Sequence, residues 1–252
     1  MGDTTYTHGR FVWRELMTTD VEDAKGFYGE LFGWAFKASE MPGGTTYWVA
    51  SVGEKQVGGL MQKPKDVDAP PHWSGYVSVP DVDAATACAK AEGGQSPMSM
   101  DVEGVGRMGL ILDPNGAVSW AFKSSTGDTP MTGRPQVGEF CWESLATQDL
   151  AKAKSFYQAV YGWKPSEFNG MTVFGVADGM EGQVADVMPS PPGAPSFWGS
   201  HVVVAKVADA RARVAKLGGK ILMEEIAVPT IGLISVVQDR QGATISLFEP
   251  QM

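Results

Sequence analysis

The chain states one phrase twice. WRELMTTDVEDAKGFYGELFGW runs from Trp13 to Trp34 and WESLATQDLAKAKSFYQAVYGW from Trp142 to Trp163, an offset of 142 − 13 = 129 in a chain of 252 residues. A period of about half the chain marks a duplicated folding unit. Later segments repeat as well: HWSGYVSVPDVDAATACAKAEGG from His72 matches FWGSHVVVAKVADARARVAKLGG from Phe197, and LDPNGAVSWAF from Leu112 matches QDRQGATISLF from Gln238. A weaker echo lies inside the first half, where DVEDA at Asp20 recurs as DVDAA at Asp81. The chain therefore reads as four modules in two related pairs, and differences between the pairs carry information.

Each module opens with a strand and a helix. Asp20 is an expected N-cap, Val21, Ala24, Phe27, Tyr28 and Leu31 recur at helical spacing, and Gly33 ends the helix; Asp149 to Gly162 copies this pattern. Val82, Ala85 and Cys88 before Gly93, and Val207, Ala210, Val214 and Leu217 before Gly218, predict two more helices. The last has Lys206 where the others have Asp, so its start is expected to be less firmly fixed. Short alternating runs such as TTYWVASV and MTVFGVAD follow as strands, and Asp113-Pro114-Asn115-Gly116 reads as a hairpin turn. The expected fold is α+β, a βαβββ module used four times. Modules at 9–62 and 72–124 make a first domain, 125–137 a linker, and modules at 138–188 and 197–250 a second domain. A sheet with helices on one side leaves its other side to line a cleft.

A net charge of −9 argues against nucleic acid, which needs clustered Lys and Arg. Cys88 and Cys141 form no metal-type spacing and read as small buried hydrophobes. No apolar run reaches the length of a membrane span, and Met1 to Arg10 lacks a hydrophobic signal core, so the cytoplasm is the expected compartment and no membrane partner is expected. There is no GxGxxG, phosphate loop, GxSxG or HExxH, and Gly43-Gly44, Gly58-Gly59, Gly93-Gly94 and Gly218-Gly219 read as turns and close contacts. The expected state is a monomer or homodimer.

Paired βαβββ modules with a strand, a TxD-type helix start, FYxxLFGW and a closing DPxG hairpin resemble the vicinal oxygen chelate superfamily of glyoxalase I, bleomycin-resistance proteins and extradiol dioxygenases. The resemblance spans about Gly9 to Pro250 and is nearest to two-domain bacterial members. It implies tandem glyoxalase-like domains, each with a cleft between curved mixed sheets. It also implies metal ligands seven residues before each helix-start Asp and seven after the hairpin Asp. Those positions here are Trp13, Ser74 and Trp120 in the first half, and Trp142, Gly199 and Ser246 in the second. Indole, glycine and a neutral hydroxyl are not ligands for the usual ions. A register shift of two positions brings in Glu15, His72 or His201 without completing a set of three in either half, so no metal and no cofactor are expected.

The expected activity is binding of a small, partly aromatic or hydrophobic molecule. Trp13 and Trp142 would offer stacking surfaces. Glu15, on the strand side of Trp13, would act as a base or hold a cationic group, and its counterpart is Ser144. Trp48, Met61, Trp73, Arg107, Trp120, Phe174 and Trp198 are further expected lining residues, with His201 beside them. Arg107 pairs with Leu233 in the repeat, so it would be an anion anchor found in the first half alone. His72 reads as exposed, His8 as part of a polar N-terminal tail, and Trp34 and Trp163 as core. Two alternatives stay open. One is an enzyme of lyase, dioxygenase or hydroxylase type, using an unrecognised metal site or Glu15 as base. The other is a surface interaction protein with filled clefts.

Overall fold

The computed structural model describes residues 5–41, 44–129 and 133–251; Gly43 and residues 130–132 of the expected linker lie outside them. The first module is β1 (Phe11–Thr18), α1 (Val21–Phe32), β2 (Ala35–Glu40), β3 (Thr46–Val52) and β4 (Lys55–Gln62). The second is β5 (His72–Ser78), α2 (Val82–Ala91), β6 (Ser99–Val102), β7 (Gly106–Leu112) and β8 (Val118–Ser124). The third is β9 (Phe140–Thr147), α3 (Leu150–Tyr161), β10 (Lys164–Phe168), β11 (Met171–Gly175) and β12 (Gln183–Pro189), with a 3-10 turn at Met180–Gly182. The fourth is β13 (Phe197–Val203), α4 (Val207–Lys216), β14 (Lys220–Val228), β15 (Gly232–Gln238) and β16 (Thr244–Pro250). The βαβββ pattern holds four times. The strands form two eight-stranded mixed sheets, ordered β2-β3-β4-β1-β5-β8-β7-β6 and β10-β11-β12-β9-β13-β16-β15-β14, so each sheet is drawn from one half of the sequence.

The helix ends follow the residues that predicted them. Asp20, Asp81 and Asp149 each accept the N–H three residues on at 3.0 Å. Gly33 and Gly162 close α1 and α3 in the left-handed conformation, with φ of 73° and 70°, which costs a residue without Cβ little. The expectation for α4 needs correction. Lys206 offers no side-chain cap, but the Glu249 carboxylate at the end of β16 accepts the Val207 N–H at 2.9 Å and the Lys206 ammonium at 2.7 Å. The ammonium and then the amide hold the Glu249 carboxyl below its ordinary range.

Backbone proximity groups the chain into two compact units that cut across the halves. Among the described residues, one comprises 5–13, 74–129 and 143–198, and so joins the second module to the third; the other comprises 14–41, 44–73, 133–142 and 199–251, and joins the first to the fourth. In the first unit α2 packs on α3, over a core that includes Val77, Ile111, Phe156, Tyr157, Trp163, Phe174 and Trp198. In the second α1 packs on α4, over Leu16, Phe27, Tyr28, Trp34, Leu60, Trp73, Val202 and Leu247.

Each unit contains the same buried relay. In the first, Trp198 Nε1 donates to the Tyr157 hydroxyl at 2.9 Å, and that hydroxyl donates to Asp113 at 3.2 Å. In the second, Trp73 Nε1 donates to Tyr28 at 3.0 Å, and Tyr28 donates to Asp239 at 2.9 Å. The hairpin aspartates also accept the turn amides, Asn115 and Ala117 in one case and Gln241, Gly242 and Ala243 in the other. Burial pushes Asp113 above the usual carboxylate range even though these bonds pull it down, and it raises both tyrosines. The tyrosine of each FY motif thus links a buried indole to a hairpin aspartate, and an indole with its N–H satisfied can fill a core at no polar cost.

Candidate functional site

The face of each sheet that turns away from the helices is the place for a site, and alternation along each strand decides what stands there. On β5, Val77 enters the helix-side core, so Tyr76 points the other way. On β7, Ile111 is core, and a Cβ on Gly109 would meet Val82 and Thr86 of α2, so Met108 and Leu110 take the far side. On β8, Ala121 is core, and Trp120 and Phe122 lie opposite. Parallel pairing of β5 with β8 sets Tyr76 against Trp120. Their rings stack with centroids 5.5 Å apart and planes 10° apart, and Phe122 meets Tyr76 edge-on at 5.9 Å. Met108 completes a small buried cluster separate from the core, with Trp13, Met100, Val102, Leu110 and Phe122 packed partly buried against it. Trp13 and Trp120, two of the positions where the resemblance implies metal ligands, are therefore parts of one aromatic surface.

A carboxylate stands on the same side of the first and third modules. In the second unit, parallel pairing of β1 with β4 sets Glu15 opposite Gly59. Glu15 is buried, and a Cβ on Gly59 would collide with the Tyr47 hydroxyl. The phenol therefore lies over the glycine, in the place of a side chain next to Glu15, and Met61 is paired with Tyr47. In the first unit, β9 and β12 set Ser144 opposite Asp186, the positions equivalent to Glu15 and Gly59. Both are buried, and the Ser144 hydroxyl donates to Asp186 Oδ1 at 2.5 Å. Sequence reasoning missed Asp186. The signal was the alternation of Ala185, Asp186 and Val187 next to two apolar strands: a charged residue between two core residues points to the uncovered face.

In the second unit His201 is buried and pairs with Ser246, the positions equivalent to Tyr76 and Trp120. Trp142 is half-buried on β9 of that unit.

Five expected lining residues stand elsewhere. Trp73, Trp198 and Phe174 are core residues on the helix side, the two indoles held in the relays and the Phe174 ring packed 5.7 Å from Tyr157. Trp48 shares that side, packed against the core of the second unit with the Lys25 ammonium 3.3 Å from its ring centroid. Arg107 lies on the helix side of β7, where it binds Asp83 of α2 at 2.6 Å and Asp101 of β6 at 2.7 Å, and these carboxylates raise its pKa. It is a surface arginine held by two acids. His72 is satisfied locally, its Nδ1 lying 2.8 Å from the Pro70 carbonyl. Among the described residues, no group of three or more His, Cys, Asp or Glu side chains is arranged to hold a metal ion, and no helix is long and apolar enough to cross a membrane.

Two eight-stranded mixed sheets with four βαβββ modules define a two-domain glyoxalase-like fold. The Mn(II)-bound glyoxalase of Novosphingobium aromaticivorans has this fold, with a TM-score of 0.65 and 15% identity over 96% of this chain and 82% of that one. Residues 138–247 match the glyoxalase/bleomycin resistance protein/dioxygenase superfamily, and residues 10–46 match the bleomycin resistance protein-like N-terminal family. CFP32 of Mycobacterium bovis, named as a candidate glyoxylase, is 32% identical over 97% of this chain and 96% of its own length. The anthracycline biosynthesis protein DauV of Streptomyces sp. strain C5 is 30% identical over 65% of this chain and 64% of its own length. The chain belongs to the glyoxalase/bleomycin resistance protein/dioxygenase superfamily, the vicinal oxygen chelate proteins.

Proposed function

We propose that this protein binds a small, flat, partly aromatic molecule on the face built by Trp13, Tyr76, Met108 and Trp120, without the divalent metal of its superfamily. The observation that carries the reading is the Tyr76–Trp120 stack, set away from the helix-side core with partly buried Trp13 and Phe122 around it. Tyr76 and Trp120 are buried against each other, so in this reading they form a preorganised aromatic floor, and a guest meets the partly buried Trp13, Leu110 and Phe122 around it. The donor set argues against a metal: Trp13, Ser74 and Trp120 stand where the superfamily implies ligands, and none offers a lone pair suited to a divalent ion. DauV, named for anthracycline biosynthesis, makes a fused-ring aromatic a natural first probe.

A second reading has its own support. Glu15 is a buried carboxylate with the Tyr47 phenol over the adjacent Gly59, a pairing suited to taking a proton from a bound substrate. Titration of the full chain with an anthracycline, followed by calorimetry and tryptophan emission, tests the first reading. Saturable binding that weakens at least fivefold in Trp120→Ser and in Trp13→Ala is expected. Unchanged binding in both variants, or no binding by any planar aromatic in a screen, rejects it.

A further inference from the structure

We infer that the β10–β11 hairpin carries a site of spontaneous covalent modification, at which Asn169 loses ammonia to the main chain and becomes aspartate and isoaspartate. The site uses none of the residues of the aromatic face and does not depend on it.

The chain contains two asparagines, Asn115 and Asn169, and glycine follows each. One dipeptide thus stands in two hairpin turns, and the fold holds the two copies differently. Asn169 and Gly170 form the two-residue loop between β10 and β11, where Phe168 pairs with Met171. Their φ angles of 49° and 76° are both left-handed, the conformation such a loop demands and asparagine and glycine accept. Both residues are exposed, and a Cβ on Gly170 would meet nothing within 4 Å. Among the described residues, neither the Asn169 carboxamide nor the Gly170 N–H makes a hydrogen bond. β10 is also the edge strand of its sheet and is mostly exposed, so the hairpin tip opens at lower cost than the core.

Asn115 is held at every reacting group. Its N–H donates to Asp113 Oδ1 at 2.8 Å, its Nδ2 to Thr147 Oγ1 at 3.4 Å, and the Gly116 N–H to the Asp113 carbonyl at 3.0 Å. Asp113 is fixed in turn by the Ala117 amide and the Tyr157 hydroxyl. In the second copy of that turn Gln241 precedes Gly242, and a glutamine side chain would have to close a larger ring.

The step needs only water. The Gly170 nitrogen, its proton taken by hydroxide, attacks Cγ of Asn169; the Cγ–Nδ2 bond breaks, ammonia leaves and a succinimide closes. Water then opens either carbonyl of the ring, so the net change turns a carboxamide and a water into a carboxylate and an ammonium ion. Bringing Cγ onto the nitrogen requires rotation about the Asn169 main chain. At Asn169 that rotation breaks no hydrogen bond of either reacting group, whereas at Asn115 it breaks those to Asp113 and Thr147. The isoaspartate product carries an extra methylene in its main chain, which the two-residue loop closing Phe168 on Met171 does not accommodate.

The test incubates the full chain in mildly alkaline native buffer and follows the peptides around Asn115 and Asn169 by mass spectrometry, with aspartyl and isoaspartyl forms separated. Asn169 is expected to convert at least tenfold faster than Asn115 and to give both products. In urea the two rates should come together, because the dipeptide is the same. Gly170→Ala should slow conversion at Asn169 at least tenfold.

Alanine at a positive φ is strained, so that variant has a folding risk, but the comparison inside the wild-type chain stands without it. Equal rates in the folded chain, faster conversion of Asn115, conversion of neither, or aspartate without isoaspartate overturns the inference.

Discussion

On the side that meets the helices, the two compact units are close copies; on the other side, Trp13, Met61 and Phe122 recur as Trp142, Met188 and Phe248, but the positions between them differ. The helix side keeps the Trp–Tyr–Asp relay at nearly the same distances in both units. One of its changes is a paired one: Tyr161 bonds Ser119 at 2.7 Å in one unit, and the equivalent positions of the other carry Phe32 and Ile245. A polar pair has become an apolar pair with no buried group left unsatisfied, the kind of double replacement a core tolerates. On the far side Tyr76 is matched by His201, Trp120 by Ser246, Glu15 by Ser144, Gly59 by Asp186 and Tyr47 by Met171. Packing constrains the first side. The second side carries no helix to pack against, and its residues have diverged.

The largest expected effects test the sameness of the helix side. Trp73→Ala and Trp198→Ala each remove a buried indole and a hydrogen bond to a buried tyrosine, and each should cost about 3–5 kcal/mol in urea unfolding of the full chain. The two costs should agree within about 1 kcal/mol if the relays are equivalent. A cost below about 1 kcal/mol for one of them would show that only one relay is under strain-free packing, and the comparison would fail at its firmest point.

Next in size is a substitution aimed at the far side. Gly59→Ala places a methyl group where the Tyr47 hydroxyl lies, and should destabilise the chain by about 1–3 kcal/mol, the usual cost of an overpacked site. The equivalent position in the other half already carries Asp186, so Asp186→Ala adds no such clash. If Gly59→Ala unfolds at the wild-type urea concentration, Tyr47 is not confined over Gly59 and its pairing with Glu15 loses support.

A third experiment exchanges the two faces. Trp120→Ser installs the residue of the second half, and should reduce affinity for a flat aromatic probe about tenfold, roughly 1.4 kcal/mol, near the worth of one stacked aromatic contact. The reciprocal Ser246→Trp should not create that affinity, because His201 stands where Tyr76 would complete the stack. Calorimetry on both variants sharpens the comparison. Equal affinities across wild type and both exchanges would mean that neither face is where the probe binds.

Much of this was legible in the sequence. The duplication, the Asp and Gly helix boundaries and the four modules are written in local spacing. The facing of single strand residues was harder. A period of two says which residues share a side, but not which side the helix covers, and on that point Trp73, Trp198, Trp48 and Phe174 were expected on the wrong face. Trp73 is in step with Gly75, Val77 and Val79, and Trp198 with Val202 and Val204; those runs of small and branched residues mark the helix side. Arg107 was misplaced for the same reason, since its partner Asp83 lies on a helix 24 residues away. Asp186 stayed hidden because its meaning depends on the register of β12 against β9.

The smallest expected effect concerns the one helix that breaks the capping pattern. Three helices carry their own aspartate cap, while α4 takes the Glu249 carboxylate from 42 residues away. Glu249 is held below its ordinary pKa in the fold, by Lys206 first and the Val207 amide second. Its contribution is therefore complete above the pKa of an unfolded glutamate and disappears as pH falls through the lower folded value. Asp113 has the opposite sign, since burial raises its pKa and acidification relieves the cost of its charge. Subtracting Glu249→Gln from wild type cancels Asp113 and leaves Glu249 alone. The difference in stability at neutral pH should be about 0.5 kcal/mol or less, because an exposed ion pair is screened and partly offset by side-chain entropy. It should shrink toward zero on acidification below the ordinary glutamate range, and diminish in high salt at neutral pH. A difference that grows on acidification would mean that the Glu249 carboxylate is not what fixes the start of α4. The fourth helix would then be held by packing of Val207, Ala210 and Val214 against the core alone.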